Sequence, residues 1–461
     1  MSSSAETPAT LLSTWDALVA TAPDARAVIE AANATVFSRA EIDARAHAAA
    51  ARFREAAPER VFAGRWVVFS RPNGADWFAI FIALLRLRAV PVPLDPSEPL
   101  ESQRSLALAA RAHFLLGPDN QLEALSGRTR RATPGIALVK LTSGSTGMPR
   151  ALAFTHGEML ADGRQVCASM DIRPDDLNLG LIPFGHSYGL GNLVVPLLAQ
   201  GTAILCVSAP LHHAIADDAA RWRPTVFPAV PAILRVLALT DVSKESLQSI
   251  RTIISAGSAL PPETARAFFE KFGRRLHGFY GSSETGGIAY DRRGEATLTG
   301  RSVGTPMEGV RLSFGRGRRI TVSSAAVFTH GNRRRSSDGF GAHMPADLAM
   351  LNEHGELVLL GRTGRMIKIA SRRLDLTALE LELKKLPGIR DAYASAHPDR
   401  ADELAAALAT DLSAIDVRAL LHRALAPWKV PKRLVLMKEF PLTPRGKNDT
   451  KALREALKSP R

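Results

Sequence analysis

Cysteine is nearly absent: the 461-residue chain carries two, Cys167 and Cys206. Two thiols cannot build a disulfide framework or a Cys-based zinc site. The first 23 residues lack a basic start followed by an apolar core, so no secretory leader is expected there. Long apolar runs are missing too. The most apolar stretch, 77–94, carries Arg86 and Arg88 and is broken by Pro91 and Pro93, which excludes a membrane span. No internal repeat, long low-complexity tract or GxxxxGK[ST] phosphate-loop spacing occurs. Acidic residues are scarce relative to basic ones, 45 against 59, for a formal net charge of +14. That balance suits an anionic partner such as nucleic acid, a nucleotide-bearing substrate or an acidic carrier protein, or else a generally Arg-rich surface. The basic residues are scattered, apart from Arg333, Arg334 and Arg335 and a looser group at 128–131. No nucleic-acid-binding motif accompanies them, so no nucleic-acid partner is expected. Together these absences point to the cytoplasm.

Against these absences, hydrophobic content of 46% and charged content of 23% are those of an ordinary globular protein. The length suggests two or three domains. From about residue 35, strand-like and helix-like segments alternate. Ser38 and Glu41 form a capping-box pattern opening a helix to about residue 55. Strands are expected at 66–70, 89–94, 177–182, 202–207 and 250–256, and a helix at 74–87. The pattern predicts an α/β fold with mostly parallel sheets flanked by helices. Between about 288 and 360 short β-like pieces separated by Gly- and Arg-rich turns suggest a small β-rich subdomain. Beyond about 361–364 a separate small C-terminal α+β domain is expected, with helices at 376–386 and 413–424 and a strand at 434–437.

The densest chemical signal follows an apolar strand at 136–141. Thr142, Ser143, Gly144, Ser145, Thr146 and Gly147 are followed by Met148, Pro149 and Arg150. Gly144 and Gly147 let the backbone adopt left-handed conformations and approach a ligand closely. Successive N–H groups, the hydroxyls and Arg150 can then converge on a phosphate. A second group runs Phe279, Tyr280, Gly281, Ser282, Ser283, Glu284, Thr285, Gly286. It offers an aromatic face, a permissive turn and a carboxylate of the kind that holds Mg²⁺ beside a polyphosphate. A third pairs Asp347, able to accept two ribose hydroxyls, with Arg362. A fourth is the turn Pro444, Arg445, Gly446, Lys447, Asn448, where Lys447 is a compact cation on a short loop. A fifth places His186 in a Gly-flanked turn, 183–189. His212 and His213 with Asp217 give an HHxxxD look, but Asp218 stands where glycine belongs and the surroundings are helical, so a surface helix is expected. Taken singly, each group reads equally well as a solvated turn, a structural histidine or an exposed lysine.

In this order and spacing the chain resembles the adenylate-forming (AMP-binding) superfamily, which includes acyl- and aryl-CoA synthetases, adenylation domains and luciferases. The resemblance runs from about residue 38 to 453. It is most specific at LTSGSTGMPR (141–150), YGSSET (280–285) and PLTPRGKNDTKAL (441–453). It implies an N-terminal adenylation domain at 1–361, a hinge at 362–364 and a mobile C-terminal domain at 365–461, with the active site between them. The implied reaction has two halves. A carboxylate attacks the α-phosphate of Mg·ATP, giving acyl-AMP and pyrophosphate; a thiol, from CoA or carrier-protein phosphopantetheine, then displaces AMP. Residue by residue, the resemblance puts 142–147 and Arg150 on the β- and γ-phosphates, Glu284 on Mg²⁺, Ser283 at the α-phosphate and Tyr280 with Gly281 at the adenine. Asp347 would take the ribose, with Arg362 nearby. Lys447 would bridge the attacking carboxylate and the α-phosphate, His186 would gate the acyl pocket, and Gly364 would be the hinge.

The sequence departs from the family at several of these positions. Arg150 replaces the usual Lys, and Ser283 the usual Thr. The ribose motif reads Pro345, Ala346, Asp347, which keeps the Asp. Gly364 stands at the hinge where Asp or Lys is usual. Ser371 stands where Gly usually lines the thiol tunnel, and Thr450 replaces a closing Arg. Gly364 and Ser371 bear on the thioester half, so adenylation is expected to be intact and the thiol acceptor or its docking unusual. The expected substrate is an apolar acid, aliphatic or aryl, because of the His186 gate and because 228–234 offers no carboxylate for an α-amino group. Two other outcomes stay open: a standalone adenylation enzyme that loads an acyl carrier protein, and a non-catalytic nucleotide-binding relative.

Overall fold

The computed structural model describes residues 8–458 except 57–61, 127–128, 144–148, 332–333, 335, 363–364, 370–371, 399–402, 426 and 444–445. The chain forms two compact units. The first comprises Met1–Ser313, Thr321–His343 and Gly355–Leu357; the second comprises Phe314–Ile320, Met344–His354 and Val358–Arg461.

The first unit is built on a nine-stranded sheet. Its order across the sheet is Thr305–Pro306, Gly286–Tyr290, Leu276–Ser282, Thr252–Ser255, Val226–Ala229, Leu177–Gly180, Ala203–Cys206, Arg26–Glu30 and Thr35–Ser38. The pairings from Leu276–Ser282 through to Arg26–Glu30 are parallel, and antiparallel strands close both edges. The inner parallel strands, Leu177–Gly180, Ala203–Cys206, Val226–Ala229 and Thr252–Ser255, are buried throughout, as strands covered on both faces must be. A second sheet pairs Trp66–Ser70 in parallel with Val90–Leu94 and with Phe114–Leu116, and Leu122–Ala124 is antiparallel at its edge.

The helices start where the sequence supplies caps. Ser38 and Glu41 bond reciprocally, Ser38 N to Glu41 Oε2 at 2.7 Å and Glu41 N to Ser38 Oγ at 3.2 Å, and open Arg39–Ala56. Thr155 and Glu158 repeat the device at His156–Met170. Helix Ala75–Arg86 is apolar almost all round and almost wholly buried. Its Trp77 stacks on Phe81 at 4.9 Å, and Trp77 and Phe78 meet Phe184 edge-on at 5.4 and 5.2 Å. That aromatic cluster anchors the turn that carries His186. Asn73 reinforces it: its amide donates to Gly180 O and Ile182 O, and its Oδ1 accepts from Phe184 N.

The 136–141 strand is half of a hairpin. Ile136–Ser143 pairs antiparallel with Pro149–Thr155, so Thr142 and Ser143 are strand residues paired with Arg150 and Pro149. The Gly/Ser/Thr run therefore begins inside the ladder, because β-branched Thr142 continues the extended backbone without strain.

The second unit carries the two-stranded pair Asp347–Leu351 and Leu357–Arg362, and the antiparallel pair Met366–Ile369 and Arg372–Asp375. Its core is a three-stranded sheet of Ile389–Ala396, Leu404–Thr410 and Arg433–Met437, backed by helices Leu376–Lys384, Ala414–Ala424 and Thr450–Lys458. Ala-rich Leu404–Thr410 is buried throughout, which lets helices pack close on both faces of the central strand.

Candidate active site

The site in the first unit is assembled from the hairpin, the turn after Leu276–Ser282 and the turn at 183–189. On the hairpin, Thr142 and Arg150 are cross-strand partners, and Thr142 Oγ1 donates to Arg150 O at 3.4 Å. Arg150 reaches outward: its Nη1 lies 3.6 Å from Glu284 Oε1, and its guanidinium sits over the Phe328 ring at 5.7 Å. The start of the hairpin's second strand and the Glu284 turn are thus adjacent.

Glycine and short polar residues shape the Glu284 turn. A Cβ on Gly281 would lie 2.6 Å from Gly286 O, so the close antiparallel return to Gly286–Tyr290 needs a bare backbone there. Ser282 Oγ and Thr285 Oγ1 are 3.0 Å apart, and Thr285 is fully buried. Phe328 N donates to Glu284 O at 3.2 Å, and Gly287 N donates to Asp162 Oδ1 at 3.2 Å, so the turn is pinned on both sides. Tyr280 is half-buried in the strand that feeds the turn.

Ser283 is joined to the third segment. Ser187 Oγ donates to Ser283 Oγ at 2.9 Å. His186, immediately before, is half-buried and caps the short helix Ser187–Gly189: its Nδ1 accepts from Tyr188 N at 3.3 Å. Tyr188 is buried, with its hydroxyl 3.4 Å from Ala229 O and 3.2 Å from Ile254 O at the carboxyl ends of two parallel strands. Ligands of open α/β sheets bind at that edge.

Four ionisable residues that the motif reading did not name lie around this site. Lys140 is buried within the hairpin, with Asp162, Glu284 and Glu158 in its field; burial pushes its pKa below the usual lysine value, and those carboxylates partly oppose the shift. Asp162 is buried as well, and burial raises its pKa against the pull of Lys140 and the Gly287 N–H. Glu158 accepts from Thr329 N and Oγ1 at 2.8 and 2.6 Å. Burial also lowers the pKa of His343, whose ring is 6.1 Å from Phe328 and which feels Glu284, Arg150 and Arg334. The signal for Lys140 was present as a lone charge in an otherwise apolar strand; the other three carried none.

The donors here are carboxylate and hydroxyl oxygens, the hard set that Mg²⁺ prefers, and one carboxylate beside a polyphosphate is its usual protein ligation. Glu284, with its side chain 21% exposed, fits that role. Gly144, Ser145, Thr146, Gly147, Gly364, Ser371, Arg333 and Arg335 lie outside the described residues, and Ser143 is described only as strand backbone.

In the second unit, Asp347 opens its strand and is half-buried, and Arg362 ends the next strand. Lys447 is exposed at the base of a tight turn, opposite Thr443. Thr443 N donates to Lys447 O at 2.7 Å, Gly446 N to Thr443 O at 2.9 Å, and Gly446 has φ of 69°. Asn448 fastens this turn to the sheet by donating to Asp391 Oδ2 at 2.6 Å.

The HHxxxD segment is a helix, His212–Trp222. Asp217 is exposed, whereas buried Asp218 accepts from Ser208 N and Oγ at 2.7 and 2.9 Å, a loop-closing role. Among the described residues no helix is long and apolar enough to cross a membrane.

Residues 128–313 match the family model described as AMP-binding enzyme. Curated relatives include an L-proline--[L-prolyl-carrier protein] ligase of Streptomyces coelicolor, 28% identical over 353 residues, which are 70% of this chain and 66% of that protein. A benzoate--CoA ligase of Thauera aromatica is 27% identical over 348 residues, 68% of this chain and 65% of that protein. The chain therefore spans just under two thirds of these relatives' length. Among solved structures, ATP-bound MatB from Rhodopseudomonas palustris superposes with a TM-score of 0.82 at 20% identity, covering 98% of this chain and 99% of that one.

Proposed function

We propose that the chain is an AMP-binding enzyme, the family whose model matches residues 128–313, and that it activates a carboxylic acid with ATP and passes the acyl group to a thiol. The observation that carries this reading is the meeting of the phosphate-loop hairpin with the carboxylate turn, Arg150 to Glu284 at 3.6 Å, beside the Ser187–Ser283 bond.

A free carboxylate is a poor acylating agent, because oxide is not a leaving group. In the first half-reaction a carboxylate oxygen forms a bond to the α-phosphorus and the bond to the β-phosphate oxygen breaks, releasing pyrophosphate. This step needs positioning and charge stabilisation rather than covalent help from the protein. Arg150 and the hydroxyls and N–H groups of 142–147 are assigned to the β- and γ-phosphates. Ser283, oriented by Ser187, is assigned to the α-phosphate. Glu284 would hold Mg²⁺, which neutralises charge on the polyphosphate when bound. Tyr280 and Gly281 are assigned to the adenine, Asp347 and Arg362 to the ribose. Lys447 is assigned to the attacking carboxylate and the α-phosphate, where a cation offsets the charge that builds as the two anions meet. In the second half, a thiolate attacks the acyl carbonyl and AMP leaves with the electron pair.

The proposed acid is apolar, aliphatic or aryl. His186 and buried Tyr188 bracket Ser187, the residue that bonds Ser283, and we assign the apolar surface of this turn to the acid. The proposed acceptor is CoA. A carrier-protein phosphopantetheine is the second reading, favoured by the net charge of +14, which suits an acidic partner, and by the relative named as a prolyl-carrier protein ligase. One assay separates the readings: pyrophosphate release over a panel of acids, with CoA or a holo carrier protein added. Acid-dependent release with CoA consumed is the expected result. Release without CoA consumption favours the carrier protein. No release with any acid leaves a nucleotide-binding protein without this activity.

A further inference from the structure

Lys140 is the single charged residue in Ile136–Ser143. Side chains alternate across a strand, so Leu138, Lys140 and Thr142 share one face. Their cross-strand partners are Phe154, Leu152 and Arg150. Lys140 therefore lies on the face of the hairpin that carries Thr142 and Arg150. It is only 3% exposed, and its ammonium rests 4.3 Å from the centroid of the Phe154 ring. Burying an ammonium is costly unless opposite charge surrounds it.

The surrounding charge is acidic. Glu158 and Asp162 stand one turn apart on helix His156–Met170, and like charges at that spacing repel. Each is held in place by other bonds, Glu158 by Thr329 and Asp162 by the Gly287 N–H, so neither can swing away. Glu284 adds a third carboxylate. Against these three stand Lys140 and, at the rim, Arg150, with Arg334 and His343 farther out beside Glu284 and Arg150. Without Lys140 no cation would be buried among the three carboxylates, and the cluster would present a more negative face to any polyphosphate on the hairpin.

We propose that Lys140 is a positioning residue for the pyrophosphate end of the nucleotide: its buried charge offsets Glu158, Asp162 and Glu284 and makes the Thr142–Arg150 face of the hairpin receptive to the β- and γ-phosphates. The proposal rests on the adenylation reading above. Lys140 acts through its field, without touching the phosphates, and a buried cation keeps this effect at physiological salt.

The test compares two ligands and two variants of the full chain by calorimetric titration with Mg²⁺ present. Inorganic pyrophosphate reports the β/γ end, and AMP lacks it. Lys140→Met weakens pyrophosphate binding about tenfold, because a charge acting through the protein interior is only partly screened, and leaves AMP binding within about twofold. Asp162→Asn keeps an acceptor for Gly287 N–H but removes a negative charge, and tightens pyrophosphate binding several-fold, again without changing AMP. A merely structural counter-ion gives a different pattern: both variants weaken both ligands together, and that result overturns the proposal. So does unchanged pyrophosphate affinity in both. If Lys140→Met does not fold, the direction of the Asp162→Asn change decides. Acid-dependent pyrophosphate release by the wild-type chain tests the adenylation reading separately, so the failure of one is not mistaken for failure of the other.

Discussion

Ser187 donates its hydroxyl to Ser283 across 2.9 Å, and that bond ties the His186 turn to the turn carrying Glu284. The two segments come from different parts of the chain, so the bond fixes a distance that neither backbone sets alone. Removing it frees the Ser283 hydroxyl, proposed to face the α-phosphate, to rotate. Ser187→Ala should lower the rate of acid-dependent pyrophosphate release about three- to tenfold, the effect of about 1 kcal/mol for one neutral hydrogen bond. In a double-mutant cycle with Ser283→Ala the effects should be non-additive, since both changes break the same bond. Additive losses would show that Ser187 acts independently of Ser283.

Lys447 is exposed at its turn, which is closed by backbone bonds and by Gly446. Lys447→Ala should therefore change stability by no more than about 0.5 kcal/mol, the usual range for a surface substitution. It should lower the rate of adenylation by on the order of 10²–10³, as loss of a preorganised cation at a developing charge does. The transfer of acyl from chemically prepared acyl-AMP to the thiol should be largely spared. Measuring both half-reactions on one variant checks this; equal losses in both would remove Lys447 from its assigned step.

Gly286 combines φ of 69° with a Cβ position 2.1 Å from Asp162 Oδ1. Gly286→Ala must strain the backbone and displace a buried carboxylate at once. The expected cost is about 2–4 kcal/mol, the range for overpacking plus a disfavoured backbone region. Urea unfolding should show it as a lower midpoint with an unchanged slope. A loss under about 0.5 kcal/mol would mean that the turn relaxes freely.

These effects differ in how visible they are from sequence. The capping box at Ser38–Glu41 is local, and local patterns are legible: helix Arg39–Ala56 begins where its cap predicts. The apolar strands were legible for the same reason. The hairpin was not, because Pro149 and Arg150 at the start of its second strand read as a loop end rather than a ladder. With that pairing unseen, nothing indicated that Lys140, Thr142 and Arg150 share a face. Asp162 looked like one more polar residue on a helix. Its meaning comes from Gly287, which is distant in the chain and adjacent in the fold. Long-range juxtapositions of this kind are set by topology, and spacing within one segment does not encode them.

The thioester half rests on sequence alone at Ser371, which lies outside the described residues. If a side chain at this position hinders the thiol, Ser371→Gly should raise the rate of CoA consumption severalfold and leave pyrophosphate release in the adenylation assay unchanged. Full CoA turnover by the wild-type chain, with no gain in the variant, would remove Ser371 from the acceptor question.

Both cysteines are buried, and neither has a place in the proposed chemistry. Burial pushes the Cys167 thiol from 9.0 up to about 12, with the charges of Asp162 and Asp176 adding to the rise. Burial also raises Cys206, with Glu30 adding to it. The sign of the consequence follows from linkage. The folded value lies above the unfolded one, so the unfolded chain loses these protons first as pH rises. The stability that the neutral thiols represent is whole below about pH 9 and declines between 9 and about 12 for Cys167. The slope is about 1.4 kcal/mol per pH unit for each thiol in that window. Replacing Cys167 with Ala should flatten the alkaline limb of stability against pH by one such increment, at the cost of a small cavity near neutrality. In the native protein at pH 8 neither thiol should react with an aromatic disulfide reagent, and both should react on unfolding. A native thiol that reacts at the rate of a free cysteine would show that the helix His156–Met170 or the strand Ala203–Cys206 opens without global unfolding.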